Sequence, residues 1–124
     1  MPLLLVMSGG ALGAGARYLV GRGALAWLGA AFPYGTLTVN LLGGLGMGLL
    51  IGLTARHGSS LESWRLFVGT GLLGGFTTFS AFSLDIVELA DKGHPGVAIG
   101  YAALSVGGAA AAVVMGLELA RVAT

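Results

Sequence analysis

Residues 71–83 read Gly-Leu-Leu-Gly-Gly-Phe-Thr-Thr-Phe-Ser-Ala-Phe-Ser, and this stretch decides how the chain folds. It lies in an apolar run, yet the paired glycines Gly74 and Gly75 followed by the paired threonines Thr77 and Thr78 form a poor membrane helix. A break here would release backbone carbonyl and N–H groups, which a membrane tolerates only where the backbone is buried in protein or lines a cavity. The stretch therefore predicts an interrupted helix whose freed carbonyls are hard ligands for a small cation.

The composition of the whole chain is that of a membrane protein. Hydrophobic residues make up 56% of the 124 residues, charged residues make up 9%, and the mean hydropathy is +0.92. Soluble domains carry about 25% charged residues, so most of this surface must face lipid. The net charge of +1 excludes a broad basic surface for nucleic acid. The absence of cysteine excludes disulfides and thiolate chemistry.

Apolar stretches along the chain each approach the ~20 residues that a spanning helix needs. They cover about residues 3–28, 34–55, 64–88 and 96–119, separated by short loops. Their apolar pattern is continuous rather than alternating, which disfavours membrane β-strands. We therefore predict an all-α membrane protein, with residues 1–124 forming a single domain of four transmembrane helices.

Positive charge gives little bias to the orientation of these helices. With four spans, both termini share one side with Arg56, Arg65 and Arg121, while Lys92 and Arg22 belong to the other side. An excess of Lys and Arg fixes the cytoplasmic side, and three against two is close to no excess. Charge alone leaves a single orientation and a dual topology, with its antiparallel dimer, equally open.

Glycines at four-residue spacing recur in the predicted spans. They include Gly9/Gly13, Gly44/Gly48/Gly52, Gly71/Gly75 and Gly96/Gly100. Small-residue faces let membrane helices approach closely. Four closely packed helices leave little room for an internal pore, so a transport path is expected between subunits.

Polar residues at membrane depth are few, and each has two interpretations. Arg17 shares a helical face with glycines, where it either ties helix ends together or attracts an anion. Asn40 either joins helices through hydrogen bonds or donates an amide N–H to an anion. Asp85 and Glu88, near the end of the third span, are expected to be plain interfacial carboxylates.

Two further pairs of side chains share helical faces. Phe79 and Phe82 are three residues apart, so they form ordinary apolar packing or present their positive ring edges to an anion. Tyr101 and Ser105 stand one turn apart, as packing hydroxyls or as part of a polar track. Metal-ligand spacings, phosphate loops and nucleophile elbows do not occur in the sequence, so we do not expect an enzyme.

At this point the motifs resemble those of a known family. Residues 13–18 read Gly-Ala-Gly-Ala-Arg-Tyr, residues 35–43 read Gly-Thr-Leu-Thr-Val-Asn-Leu-Leu-Gly, and residues 71–83 carry Gly-Gly-Phe-Thr-Thr-Phe-Ser. Together they are similar to the Fluc fluoride channels, also called CrcB. The resemblance covers nearly the whole chain, and its most specific part is the third motif.

The resemblance implies a homodimer of antiparallel, dual-topology subunits in the inner membrane, with two pores along the subunit interface that passively export fluoride. It implies a structural sodium ion at the dimer centre, held by the carbonyls of Gly74 and Thr77. It places Arg17 in a vestibule. The residues that it assigns to the fluoride pore are Asn40, Thr78, Phe79, Ser80, Phe82, Tyr101 and Ser105.

This assignment is chemically reasonable because dehydration is the main barrier for a small, strongly hydrated anion. Neutral donors replace its water without trapping it, as a fixed cation would, and a central sodium ion adds positive charge without charging the pore wall. The chain departs from the family where Thr is common, at Ala81, and where Glu is common, at Asp85. These departures affect expected rates rather than the assignment.

Two other functions compete with a fluoride channel. A small multidrug exporter also has four helices and dual topology, but it needs a carboxylate in its first helix, where this chain has only arginines. A non-transporting assembly subunit would use the glycine faces only for docking. It predicts no ion flux and no effect of a substitution at Phe79.

Overall fold

The computed structural model describes residues 2–123, and within that range it is helical and contains no β-strand. A 3-10 helix over Ala55–Leu61 and a π-helix over Arg65–Leu73 link the α-helices. The α-helices are α1 (Pro2–Leu28), α2 (Tyr34–Thr54), α3 (Glu62–Trp64), α4 (Gly74–Phe76), α5 (Ser80–Asp91) and α6 (Pro95–Ala123). The prediction of an all-helical protein is confirmed for this part of the chain.

Among residues 2–123, three helical stretches are long and apolar enough to cross a membrane, namely Pro2–Leu28, Tyr34–Asp91 and Pro95–Ala123. The middle stretch has 58 residues. A straight helix of that length would extend about 87 Å, far beyond the ~30 Å hydrocarbon core. The stretch instead bends at Gly58, whose φ of 54° and ψ of −132° are not helical.

The middle stretch folds back on itself as an antiparallel hairpin. Gly69 lies against the Leu50 side chain, and four residues further along, Leu73 packs on Gly46. Arg65 holds the turn, because its guanidinium donates to the Thr54 hydroxyl at 2.9 Å, to the Gly58 carbonyl at 2.6 Å and to the Thr54 carbonyl. These bonds satisfy carbonyls that the end of α2 would otherwise leave without donors.

Glycines set the spacing of the long helices. A Cβ on Gly13 would collide with the Leu72 carbonyl oxygen, so α1 lies backbone-to-backbone against the segment that includes the π-helix. A Cβ on Gly48 would collide with the Val113 carbonyl oxygen, which places α2 equally close to α6. Both pairs run parallel, and this close packing agrees with the predicted role of the Gly9/Gly13, Gly44/Gly48/Gly52 and Gly71/Gly75 faces. Gly96 and Gly100 do not take part in it, because nothing lies within 4 Å of a Cβ added to either residue.

The apolar core lies at one end of the molecule and joins α5 to α6. It contains Phe82, Leu89, Ala98 and Tyr101, each with 6% or less of its surface exposed. Elsewhere large apolar side chains point outward, as Trp27 does with 88% exposure. An outer surface of this kind suits a lipid environment.

Candidate functional site

Helical structure stops at Phe76 and resumes at Ser80, and the segment between them, residues 77–79, forms the centre of the candidate site. Thr77 is extended, with φ −84° and ψ 162°. Its N–H and its hydroxyl both donate to the Leu73 carbonyl, at 3.0 and 3.1 Å. Thr77 therefore closes the preceding helix with its own side chain, and the backbone leaves the helix axis after it.

Asn40 of α2 holds the next residue of this segment. Its amide nitrogen donates to the Thr78 carbonyl at 3.0 Å, and its amide oxygen accepts the Thr78 N–H at 2.9 Å. The two bonds satisfy the whole backbone of Thr78. Because a primary amide has two N–H bonds, one N–H of Asn40 is still able to donate to another group.

Thr78 in turn starts α5. Its hydroxyl accepts the Ala81 N–H at 3.1 Å, which satisfies one of the N–H groups that the first turn of a helix leaves without a carbonyl partner. One turn later the Ser83 hydroxyl donates to the Phe79 carbonyl at 2.9 Å. The segment is therefore fixed by side chains at both of its ends.

Arg17 lies on the other side of this segment, near the end of α4. Its Nε–H donates to the Gly75 carbonyl at 3.1 Å. The guanidinium also borders a cavity of about 300 Å³ that Arg22, Thr36 and Thr78 help to line. Arg17 thus ties two helices together and faces an open space, so both interpretations of this arginine from the sequence agree with its position.

The two phenylalanines occupy different environments. Their ring centroids are 5.7 Å apart, but Phe79 is 76% exposed whereas Phe82 is 6% exposed. Phe82 packs against Tyr101 with centroids 5.3 Å apart and belongs to the apolar core. Phe79 alone presents most of its ring to the outside of the subunit.

Tyr101 and Ser105 lie behind these rings on α6. Tyr101 is 1% exposed, and its hydroxyl donates to the Asp85 carboxylate at 2.9 Å. Ser105 is 4% exposed, and its hydroxyl lies near that of Tyr101 but makes no hydrogen bond of ordinary geometry in the described part of the chain. A buried hydroxyl with a poorly formed bond is costly, and a polar guest would be stabilised there.

Most of the residues predicted for the pore share one surface groove of about 380 Å³. Apolar side chains and glycines make up most of its remaining wall. The predicted pore residues in its lining are Asn40, Thr78, Phe79, Phe82 and Ser105, and Thr77, predicted as a sodium ligand, also lines it. Ser80 is exposed and outside this lining, and Arg17 and Tyr101 are also outside it.

Asp85 is the residue whose local role the sequence did not reveal. It is half-buried, bonded to Tyr101, and lines a second cavity of about 260 Å³ together with Thr36, Glu88 and Lys92. Its sequence position beside Glu88 indicated only an interfacial carboxylate. The contact with Tyr101 is tertiary, and no local spacing encodes it.

Comparison with known proteins identifies the family of this chain. Residues 4–117 match the family described as CrcB-like protein, Camphor Resistance (CrcB). The chain belongs to this family. A relative from Phenylobacterium zucineum is 54% identical over 120 residues, covering 96% of this chain and 94% of its own length. One from Mesorhizobium japonicum is 53% identical over 119 residues, covering 96% of this chain and 95% of its own length.

Both relatives bear the name "Fluoride-specific ion channel FluC", as does one from Sphingopyxis alaskensis that is 54% identical over 119 residues, 96% of this chain and 94% of its own. The resemblance inferred from the motifs is therefore confirmed. Membership of this family places the chain among channels rather than enzymes.

Proposed function

We propose that this protein is a fluoride-selective channel that passively releases fluoride from the cytoplasm. Relatives more than half identical to it are named as fluoride-specific channels. The observation that carries the proposal is the groove in which Asn40, Phe79, Phe82 and Ser105 are brought together. These are neutral donors and aromatic rings in an otherwise apolar wall, which is the chemistry needed to replace the water around a small anion.

The active unit in this proposal is an antiparallel dual-topology homodimer with its pores at the subunit interface. Each subunit spans the membrane four times, because the hairpin over Tyr34–Asp91 contributes two spans. The interruption at residues 77–79 then lies near the middle of the third span. The groove opens on the subunit surface and Phe79 is 76% exposed, so a second subunit would complete the wall of the pore.

The groove offers a fluoride ion several hydrogen-bond donors at different positions along its wall. The second N–H of Asn40 and the hydroxyl of Ser105 make no other hydrogen bond of ordinary geometry in the described residues. The edges of the two phenylalanine rings carry partial positive charge. These groups are neutral, so they bind the anion weakly enough for it to leave again.

The remaining predicted residues contribute outside the groove. Arg17 and the exposed Ser80 would attract or pass fluoride at a vestibule. Tyr101 has a single hydroxyl hydrogen, which it gives to Asp85. Fluoride can only accept hydrogen bonds, so Tyr101 cannot donate to the ion while its hydroxyl is bonded to Asp85. In this state it supports the polar track by packing against Phe82.

Sodium is the cation that we propose for the dimer centre, held by the carbonyls of Gly74 and Thr77. The fit is good, because the N–H groups that would reach these carbonyls in a continuous helix are bonded elsewhere, to Asn40 and to the Thr78 hydroxyl. Carbonyl oxygens are suitable ligands for hard cations. The bound ion would supply positive charge beside a pore wall that has none.

We further propose that the protein is a multi-pass component of the inner membrane and that lipid covers its outer face. The support is the apolar surface, where side chains such as Leu19 and Ile99 are 68% and 71% exposed. Fluoride, lipid and a second copy of the chain are the partners in this account.

The test is fluoride efflux from liposomes that contain the purified protein, measured with a fluoride electrode beside chloride efflux. Fluoride release well above that of empty liposomes, without matching chloride release, supports the proposal. No release from monodisperse protein contradicts it and favours the assembly subunit. A multidrug exporter is not supported, because α1 carries no carboxylate over Pro2–Leu28.

A further inference from the structure

Around residues 77–79, backbone N–H groups that would donate to carbonyls in a continuous helix donate to side chains instead. In a continuous α-helix the carbonyl of residue i accepts the N–H of residue i+4. Gly74 would accept from Thr78, but the Thr78 N–H is bonded to the Asn40 oxygen at 2.9 Å. Thr77 would accept from Ala81, but the Ala81 N–H is bonded to the Thr78 hydroxyl at 3.1 Å.

Two carbonyls lie between these, and that of Gly75 is treated differently. Gly75 would accept the N–H of Phe79 in a continuous helix, and in its place it accepts the Nε–H of Arg17 at 3.1 Å. The Thr78 carbonyl is likewise satisfied, by the Asn40 amide at 3.0 Å. Side chains therefore divert the donors of Gly74 and Thr77 and supply new donors to Gly75 and Thr78.

We propose that Asn40 and the Thr78 hydroxyl select the cation-binding carbonyls by taking the N–H groups that would otherwise occupy Gly74 and Thr77. This inference rests on the proposed sodium site and assigns a positioning role to two side chains that do not themselves touch the ion. Arg17 occupies the carbonyl of Gly75, which removes that carbonyl from the candidate ligands.

Electrostatics explains why this selection matters. A carbonyl that accepts no hydrogen bond offers both of its lone pairs to a cation, whereas one that is already bonded offers a weaker ligand. Hard cations are held by several oxygens at once, so the loss of one ligand in each subunit of a dimer would remove two from a single ion. Sodium binding therefore depends on where these N–H groups donate as well as on the carbonyls themselves.

The same arrangement links the ion site to the groove. Asn40 lines the groove and also fixes the backbone of Thr78. A substitution of Asn40 would therefore alter both the donors that face fluoride and the carbonyls that face sodium. Thr78 also lines the groove, and its hydroxyl acts on the ion site through its bond to Ala81, so a measurement of sodium binding is needed to separate the two functions.

Sodium binding, rather than flux, is the measurement that tests this selection. The melting temperature of the purified protein in detergent is followed while sodium chloride replaces N-methylglucamine chloride at constant ionic strength. A ligand that binds only the folded state raises its stability as the ligand concentration passes the Kd. The melting temperature without sodium reports any general loss of stability separately from the apparent sodium Kd.

Thr78→Val removes the hydroxyl that holds the Ala81 N–H, and Asn40→Leu removes the acceptor of the Thr78 N–H. We expect both to raise the sodium Kd by about tenfold or more, which corresponds to about 1.4 kcal/mol. Thr78→Ser keeps the hydroxyl and is expected to keep the Kd. Ser83→Ala is the matched control, since the Ser83 hydroxyl donates to the Phe79 carbonyl at 2.9 Å and diverts no N–H.

A parent-like Kd in Thr78→Val and Asn40→Leu would overturn the inference. So would an equal loss in Ser83→Ala, which would indicate a general disturbance of the segment. A parent protein that carries fluoride but shows no sodium dependence would overturn only this inference. A protein that binds sodium as expected but carries no fluoride would overturn only the proposed function.

Discussion

At the scale of single residues, Phe79 and Phe82 separate function from stability. Phe79 is 76% exposed, so we expect Phe79→Ile to change the stability of the subunit by no more than about 0.5 kcal/mol. Fluoride efflux should nevertheless fall strongly, because an aliphatic side chain has no positive edge. Liposome efflux and melting of the same preparation check the two halves of this prediction.

Phe82→Ala should behave in the opposite way, since this ring is 6% exposed and packs on Tyr101. We expect a loss of about 3–5 kcal/mol in the free energy of unfolding, typical of a large aromatic removed from a core. If Phe82→Ala melts like the parent, or if Phe79→Ile melts far below it, the different environments of the two rings are wrongly described.

The bond between Tyr101 and Asp85 gives a second prediction at this scale. Asp85→Ala leaves a buried tyrosine hydroxyl without an acceptor, which should cost about 1–3 kcal/mol in unfolding free energy. Asp85→Asn keeps an acceptor oxygen and should cost less. Chemical denaturation measures the unfolding free energy of both variants, with Glu88→Ala as the exposed control. Equal losses in Asp85→Asn and Asp85→Ala would contradict this role of the hydrogen bond.

How far the sequence predicts such residues depends on the distance over which they act. Asn40, Phe79 and Phe82 stand out because polar and aromatic groups at membrane depth are few. The Asn40–Thr78 bonds join residues 38 positions apart, and the Tyr101–Asp85 bond joins residues 16 apart. Helical periodicity within one span contains no information about such partners, so the sequence names the residues without naming what they touch.

At the scale of helices, the glycines determine how closely the long segments pack. Gly48→Ala should force α2 away from α6, because the new Cβ would collide with the Val113 carbonyl oxygen. Overpacking of this kind costs about 1–3 kcal/mol. Gly107→Ala is the control, since nothing lies within 4 Å of its added Cβ, and there we expect a gain of about 0.5–1 kcal/mol from helix propensity.

Thermal unfolding of these two variants measures the difference directly. Destabilisation of both variants by the same amount would mean that glycine contributes something other than close approach. The sequence predicts the four-residue spacing but not which helices meet. The pairing of α1 with the π-helix, and of α2 with α6, becomes visible only in the folded chain.

The segment over Arg65–Leu73 shows where sequence reasoning is insufficient at this scale. It adopts a π-helix, although nothing in its composition distinguishes it from an α-helical span. Arg65, which the sequence indicated only as an orientation charge, bonds to Thr54 and Gly58 and fixes the turn. Both features arise from packing between distant parts of the chain.

At the scale of the whole molecule, the near balance of positive charge allows both orientations to be inserted. The α2 and α6 helices run parallel, so Arg56 and Arg121 mark one end, and Lys92 marks the other. Adding charge at the first end with His57→Lys and Ser60→Lys should favour one orientation. Adding it at the second end with Asp91→Lys and His94→Lys should favour the opposite one.

If the active unit is an antiparallel dimer, each double variant should lose fluoride efflux when produced alone, and their co-production should restore it. Labelling of an introduced surface cysteine from either side of the membrane checks the orientations. Full activity of each variant alone, with a single orientation verified by labelling, would contradict the antiparallel dimer.

The most direct test of the central claim is the reversal potential of the purified protein in a planar bilayer, with mainly fluoride and a little chloride on one side and mainly chloride and a little fluoride on the other. A passive fluoride-selective channel should give a steady current that reverses close to the fluoride equilibrium potential. A current that reverses at the chloride equilibrium potential would contradict the account. So would the absence of current from folded protein under a fluoride gradient.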